Sequence, residues 1–240
     1  MIRNNGALCN YCEYRESCIS KEVLASINAD SSNIVTNLSD QINLDENQIL
    51  YSQGDKFKSI FSIKSGCIKT YSIDENGNEL IEGIFYPGEF LSLDCISFNR
   101  YSHFAVAKER SQICIFNYDE LEHISSKHPK VALQISKSIS SQLSKQLRWQ
   151  QIMSKGNVEQ RLVAWVLFIS SKLGMTEDYY EFDIPISNTD ISNILQMRPE
   201  SLSRAVKKLN MKGNIYIKNK KCTVINKTLL FLELPDLIKS

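Results

Sequence analysis

Histidine is scarce in this chain. Only His103, His123 and His128 occur in 240 residues. A metal-dependent barrel enzyme needs two or three histidines and a carboxylate on neighbouring strands. Two of the three fall near or in helical sequence, so that class is set aside. No Ser/His/Asp arrangement and no phosphate-cradling glycine loop is evident, and the chain is not read as an enzyme. No window approaches 18 consecutive apolar residues, so no helical membrane span and no membrane partner is expected. Met1-Ile2-Arg3-Asn4-Asn5-Gly6 lacks an apolar signal core, which makes the cytoplasm the expected location. Thiols stay reduced there, so the seven cysteines are not expected to form disulfides. Net charge is nearly absent at +1, while 42% hydrophobic and 23% charged residues are ordinary for a globular protein with room for two cores.

The small net charge hides an uneven distribution. Residues 187–227 carry nine Lys or Arg against two acids, whereas residues 1–186 carry 18 basic and 23 acidic side chains. A basic C-terminal module on a mildly acidic body suits phosphate binding at one end. The same segment contains a helix-turn-helix pattern. Asn188 or Thr189 is placed to cap a short helix over Asp190 to Leu195, after a strand-like Ile184 to Ser187. Gln196-Met197-Arg198 make the turn, and Pro199 opens a second helix that Gly213 stops. On that helix Leu202, Val206 and Leu209 share one face. Glu200, Ser203, Arg204, Lys207 and Lys208 lie away from it. Arg can grip guanine with two bonds, Glu can accept from cytosine N4, and Ser suits either kind of base edge, which is the chemistry of reading a DNA major groove. Ile215 to Ile217 and Thr223 to Ile225 then read as a hairpin, the wing.

Upstream, period-two alternation with recurrent turn signals (Gly54-Asp55, Ser65-Gly66, Asn76-Gly77, Pro87-Gly88) predicts an antiparallel β-barrel or sandwich from about Gln41 to Glu120. Pro129 opens a long helical run to about Met153. Ile135, Ile139, Leu143 and Leu147 recur every four residues, with Gln142, Gln146 and Gln150 beside them. So narrow a stripe with polar flanks suits a dimerisation seam, the alternative being a helix laid on the barrel. Asn157 is placed to cap the next helix, which Gly174 ends. The expected fold is α+β. Residues 1–20 form a Cys-rich loop, 21–128 a sensory β-barrel of the cyclic-nucleotide-binding, double-stranded β-helix kind, 129–156 the dimerisation helix, and 157–240 a winged helix-turn-helix. Lys21 to about Leu38 is a candidate short helix within this scheme.

Over nearly its whole length the chain resembles the cyclic-AMP receptor protein/FNR family of transcription regulators, and within it the oxygen-responsive FNR branch. Glu200-x-x-Ser203-Arg204 looks like the recognition helix of that branch, since the cyclic-AMP receptor branch usually has Gly before the Arg. Cys9-x2-Cys12-x5-Cys18 has the spacing of the branch's N-terminal ligands. Cys114, in Ile113-Cys114-Ile115-Phe116, sits where the branch places a remote fourth. Two departures matter. The nucleotide-binding cassette has Arg-Ser/Thr-Ala after Gly-Glu, but here Pro87-Gly88-Glu89-Phe90-Leu91 is followed by Tyr101-Ser102-His103-Phe104-Ala105, with Arg100 out of register. No cyclic-AMP binding is therefore expected. Gln196 stands where the family usually has Gly, at a cost of about 1 kcal/mol if the turn needs a positive φ.

Four thiolates suit an iron–sulfur cluster or a structural Zn²⁺ equally on residues alone. The resemblance implies a [4Fe–4S] cluster on Cys9, Cys12, Cys18 and Cys114, with Cys67, Cys95 and Cys222 as small buried hydrophobes. It further implies an oxygen-sensing homodimer that binds double-stranded DNA when the cluster is intact, at a palindrome with TTGAT-like half-sites about 34 Å apart, and that works with RNA polymerase. Arg204 and Glu200 would read the G·C pair and Ser203 an adjacent one. Arg198, Lys207 and Lys208 would hold phosphates. A coupling of about 1–3 kcal/mol between cluster and dimer would suffice as a switch. The alternative is the same architecture with zinc, haem, nitric oxide or another small ligand as its effector.

Overall fold

Short alternating runs between tight turns pair into two four-stranded antiparallel sheets. The computed structural model describes residues 39–234, so Cys9, Cys12, Cys18 and the expected helix before Leu38 lie outside the described residues. The chain divides into two units, Met1–Gln142 and Leu143–Ser240.

In the first unit the strands are β1 (Ser39–Leu44), β2 (Ile49–Tyr51), β3 (Ser59–Ser65), β4 (Ile68–Ile73), β5 (Glu79–Phe85), β6 (Phe90–Leu91), β7 (Phe104–Ala107) and β8 (Ser111–Asn117). They are ordered β1-β8-β3-β6 in one sheet and β2-β7-β4-β5 in the other. Ile60, Ile63, Ile68, Leu91 and Ile113 are wholly buried and, with Phe61, Phe90 and Phe116, belong to one core. Of the expected barrel or sandwich, the structure is a sandwich of two open sheets. One outer strand of each sheet is too short to carry a ladder across to the other: β6 has two residues and β2 has three with a register shift.

The Asn76-Gly77 cue does mark a hairpin, β4 to β5. Its loop runs from Asp74 to Asn78, and the Asp74 carboxylate accepts from both the Asn76 and Asn78 amides at 2.9 and 2.8 Å. Gly66, at φ +91°, is required for close approach, because a Cβ there would meet Ser111 Oγ at 2.2 Å. A 3-10 turn at Asp94–Ser97 follows β6. After β8 come α1 (Tyr118–Lys127), capped by Asn117, and the 27-residue α2 (Pro129–Lys155), which runs on into the second unit.

The second unit contains α3 (Val158–Lys172), β9 (Tyr180–Asp183), α4 (Asn188–Ile194), α5 (Pro199–Lys212), β10 (Ile215–Lys218), β11 (Lys221–Val224) and α6 (Lys227–Leu232). Asn157 and Gln160 form a full capping box at the start of α3. Two local expectations are corrected. The cap of α4 is Ser187, whose Oγ accepts from the Asp190 amide at 3.0 Å while the Asp190 carboxylate accepts from the Ser187 amide at 3.1 Å. This reciprocal pair outweighs what Asn188 or Thr189 alone could supply. The strand before α4 is Tyr180–Asp183 rather than Ile184–Ser187, because Pro185 has no N–H to extend the ladder. Paired with β11, β9 makes the wing a three-stranded sheet, β10-β11-β9.

Candidate nucleic-acid interface

The second of the two helices, α5, begins with Pro199 at its first position and ends on Gly213 in the left-handed conformation, φ 79°. Leu202, Ala205 and Leu209 are its buried residues, with Val206 half-buried at the margin, so the inward face is turned slightly from the one expected. Glu200, Ser203, Arg204 and Lys207 stand exposed at i, i+3, i+4 and i+7, which places them on one stripe. Pro199, Glu200, Ser203 and Arg204 adjoin on one open, nearly flat surface. Arg198, at the N-cap, is also exposed and makes no side-chain cap bond.

Long-range polar contacts hold this helix in place. The Asn210 side chain accepts from the Ile217 amide at 3.0 Å and donates to the Ile217 carbonyl at 3.1 Å, locking β10 to α5. Arg161 of α3 donates from Nη1 to the carbonyls of Leu195 and Gln196 at 3.3 and 3.4 Å, bracing the turn between the helices. Gln196 carries a φ of 50°. Neither Asn210 nor Arg161 is distinguished by local spacing, since their partners are set by packing.

Lys208 is separated from the other basic residues. Its Nζ is paired with Glu159 of α3, and Lys212 bridges Glu159 and Glu233 at 3.1 and 3.0 Å. Lys208 in first place, then Lys212, hold the Glu159 carboxyl below the usual carboxylate range. Lys207 extends from the exposed stripe. At the wing tip Asn219 and Lys220 both take positive φ, 52° and 61°, as the two-residue turn between β10 and β11 requires. Lys218 and Lys220 are exposed there.

In the first unit, Cys114 lies on β8, between β1 and β3, with Gln41 and Ser62 directly across. Directly opposed residues share a sheet face, and this row continues through Ser62 to Phe90 of β6. Gln142 of α2 donates to the Phe90 carbonyl at 2.6 Å. Cys67, Cys95 and Cys222 are fully enclosed, whereas Cys114 is half-buried. Burial pushes the Cys95 thiol up to about 11 and the Cys222 thiol to about 12, and raises Cys67 further. Of the four described cysteines, Cys114 is the one not fully enclosed. Cys9, Cys12 and Cys18 lie outside the described residues.

Along α2 the four-residue repeat splits. Ile135 packs against the sandwich core, while Ile139, Leu143 and Leu147 are 41%, 55% and 53% exposed. Each four-residue step advances about 40° around a helix, so Ile135 and Leu147 are separated by roughly 120°. Gln146 and Gln150 are exposed beside them. In the segment where a cyclic-nucleotide site would place its arginine, Tyr101 and His103 are buried, and Arg100 donates from Nη1 to the Gly54 carbonyl at 2.7 Å. No helix among the described residues is long and apolar enough to cross a membrane.

Comparison with known proteins matches residues 41–128 to the cyclic nucleotide-binding domain and residues 160–230 to the Crp-like helix-turn-helix domain. The anaerobic regulatory protein of Pasteurella multocida is 31% identical over 198 residues, which are 82% of this chain and 72% of that protein. The fumarate and nitrate reduction regulatory protein of Escherichia coli is 30% identical over 184 residues, 76% of this chain and 74% of that one. Among solved structures, FixK2 from Bradyrhizobium japonicum superposes with a TM-score of 0.74, covering 82% of this chain and 98% of its own, at 16% identity. At that identity the superposition speaks for the fold.

Proposed function

The chain belongs to the Crp/FNR family of transcription regulators, and from that premise we propose that it is an oxygen-responsive regulator that binds a palindromic TTGAT-like DNA site as a homodimer in the cytoplasm. The exposed stripe Glu200–Ser203–Arg204–Lys207, held outward by the buried Leu202, Ala205 and Leu209, is the observation that carries this reading. A helix with that face meets base edges in a major groove. Arg204 donates to guanine O6 and N7, Glu200 accepts from the paired cytosine, and Ser203 bonds the adjacent pair. Arg198 and Lys207, with Lys218 and Lys220 of the wing, hold phosphates and set register without specifying sequence. Lys208 adds less, because its charge already faces Glu159.

The names of the relatives support an anaerobic role. Cys9, Cys12, Cys18 and Cys114 are the residues that would hold a [4Fe–4S] cluster, and the half-buried setting of Cys114 fits that task. Such a cluster would supply an oxygen-labile link between the N-terminal cysteines and the sandwich. Cys114 anchors its end of the link on the sheet face where Gln142 reaches the Phe90 carbonyl. The anchor is thereby adjacent to α2, whose exposed Ile139, Leu143 and Leu147 form the proposed dimer seam. Cyclic AMP is not the effector, a reading supported by the engagement of Arg100 with Gly54 and the burial of Tyr101 and His103. Contact with RNA polymerase belongs to the same proposal.

Binding of the anaerobically purified protein to a duplex with two TTGAT-like half-sites tests the reading directly. Arg204→Ala should cost about 1–3 kcal/mol and erase discrimination at one base pair, leaving binding to unrelated sequence little changed. Unaltered discrimination in that variant would remove Arg204 from base reading. Iron and acid-labile sulfide in equal amounts, lost in Cys114→Ser, are expected for the cluster.

A further inference from the structure

Three segments of the sandwich bring unlike metal-ligating groups to one point. Asp94 and Cys95 come from the 3-10 turn, and His103 comes from the residue before β7. Their ligand atoms all lie within 4.8 Å of one another. Glu82, on β5, reaches His103. His103 Nδ1 is 3.4 Å from Glu82 Oε2 and 3.6 Å from Asp94 Oδ2, and Cys95 Sγ is 3.5 Å from Asp94 Oδ2. Tetrahedral Zn²⁺, with bonds of about 2.0–2.3 Å to N, O and S, sets its ligand atoms about 3.3–3.6 Å apart. The three measured edges agree with that figure. The Cys95 and His103 ligand atoms also lie within 4.8 Å of each other, and Glu82 is placed against His103.

The surroundings of the imidazole point the same way. His103 is buried, and its Nε2 is 2.8 Å from the Tyr51 hydroxyl, deep in a stack where the Tyr51 and Tyr101 ring centres are 4.0 Å apart. With Nε2–H donating to that oxygen, the Nδ1 lone pair faces the two carboxylates. A metal-bound imidazole held through its other nitrogen has the same arrangement. Two carboxylates beside one ring nitrogen call for positive charge there, which either a proton on Nδ1 or a divalent cation supplies. Ser102 Oγ now bridges the cluster, 2.8 Å from Asp94 Oδ2, 2.9 Å from His103 Nδ1 and 3.6 Å from Cys95 Sγ. Ser102 is exposed, so one rotamer change releases the space.

We infer that Asp94, Cys95 and His103, with Glu82 or water in the fourth position, form a Zn²⁺-class site inside the sensory sandwich, separate from the proposed cysteine cluster. Thiolate and imidazole together select a borderline divalent metal over Mg²⁺ or Ca²⁺. The bound ion would replace the Cys95 thiol proton, which leaves to water. It would staple β5, the 3-10 turn and the start of β7. None of these residues belongs to the proposed DNA-reading surface or to the proposed cluster ligands, so this inference stands apart from the proposed function.

The test uses the full chain with Cys9→Ser, Cys12→Ser and Cys18→Ser, which removes the N-terminal thiols. Titration with Co²⁺ should saturate at one ion per chain, show thiolate-to-cobalt charge-transfer absorption, and reverse on adding Zn²⁺. Cys95→Ser should abolish that band while Cys114→Ser leaves it. Asp94→Asn, at an exposed position that does not threaten folding, should weaken Co²⁺ binding at least tenfold. Tyr51→Phe keeps the ring stack but loses the hold on His103, and should weaken binding about 10- to 100-fold. Absence of the band in the triple variant, or a band that survives Cys95→Ser with affinity unmoved by Asp94→Asn, would overturn the inference and leave a hydrogen-bonded network of protein groups alone.

Discussion

Gln196 holds a left-handed conformation, φ 50°, in the turn between α4 and α5. A side chain in that region costs about 1–2 kcal/mol, and glycine there gives back about 0.4–1 kcal/mol through the freer unfolded chain. Gln196→Gly should therefore raise stability by somewhat under 1 kcal/mol, readable as a small rise in the thermal midpoint with DNA affinity unchanged. The strain persists because the position is held from several sides. The Gln196 amide donates to the Asn193 carbonyl at 3.0 Å, and Arg161 donates to the Gln196 carbonyl. The sequence raised the question of this φ, and the backbone answers it. The same scale separates the cysteines. Cys67, Cys95 and Cys222 share full burial, yet of the three only Cys95 has His103 and Asp94 beside it; Asp94 is its sequence neighbour, but nothing local announces His103.

Among elements, α5 shows how far periodicity reaches. Spacing at 3.6 residues per turn separated the inward from the outward face, missing only the exchange of Ala205 for Val206. It did not distinguish Lys207 from Lys208. Both face away from the core, but of the two it is Lys208 that lies beside Glu159 of α3. An exposed ion pair of this kind contributes about 0–1 kcal/mol to stability, enough to divert a charge that would otherwise meet phosphate. Removing a phosphate-contacting lysine lowers the slope of log affinity against log salt by about 1. Lys207→Ala should show that drop. Lys208→Ala should show a smaller one, and Glu159→Gln should raise affinity at low salt by releasing Lys208 and Lys212. Equal slopes for the two lysine variants would mean that Lys208 leaves Glu159 when DNA binds. The wing makes a related point: its hairpin was legible from β10 and β11, but β9 joins it across 38 residues or more of chain, counted from Asp183 to Lys221, a separation that no local pattern encodes.

For the molecule as a whole, the proposed function depends on two copies acting together. Ile139, Leu143 and Leu147 are large apolar side chains left exposed on a helix whose other flank, at Ile135, is already committed to the sandwich core. Leu143→Glu would place a charge in the middle of that seam. It should shift the protein to monomer in sedimentation at micromolar concentration and, by removing simultaneous engagement of two half-sites, lower affinity for the palindrome by roughly 100-fold or more. Affinity for a single half-site should stay the same. A dimer that persisted in this variant would move the seam elsewhere.

The sequence by itself determined the elements and the outward face of α5: the helix-turn-helix with Glu200, Ser203 and Arg204 exposed, the antiparallel strands, the long helix, and the basic C-terminal unit. These follow from periodicity, turn residues and charge, all of which act over a few residues. Only the tertiary structure decided that the sheets stay open, that Ile135 turns inward while Leu147 does not, that Lys208 is paired, and that His103 meets Asp94 and Cys95. Each of these depends on which strand lies beside which and in what register. Those choices minimise exposed apolar surface and unpaired backbone over the whole chain, so no short window of residues contains them.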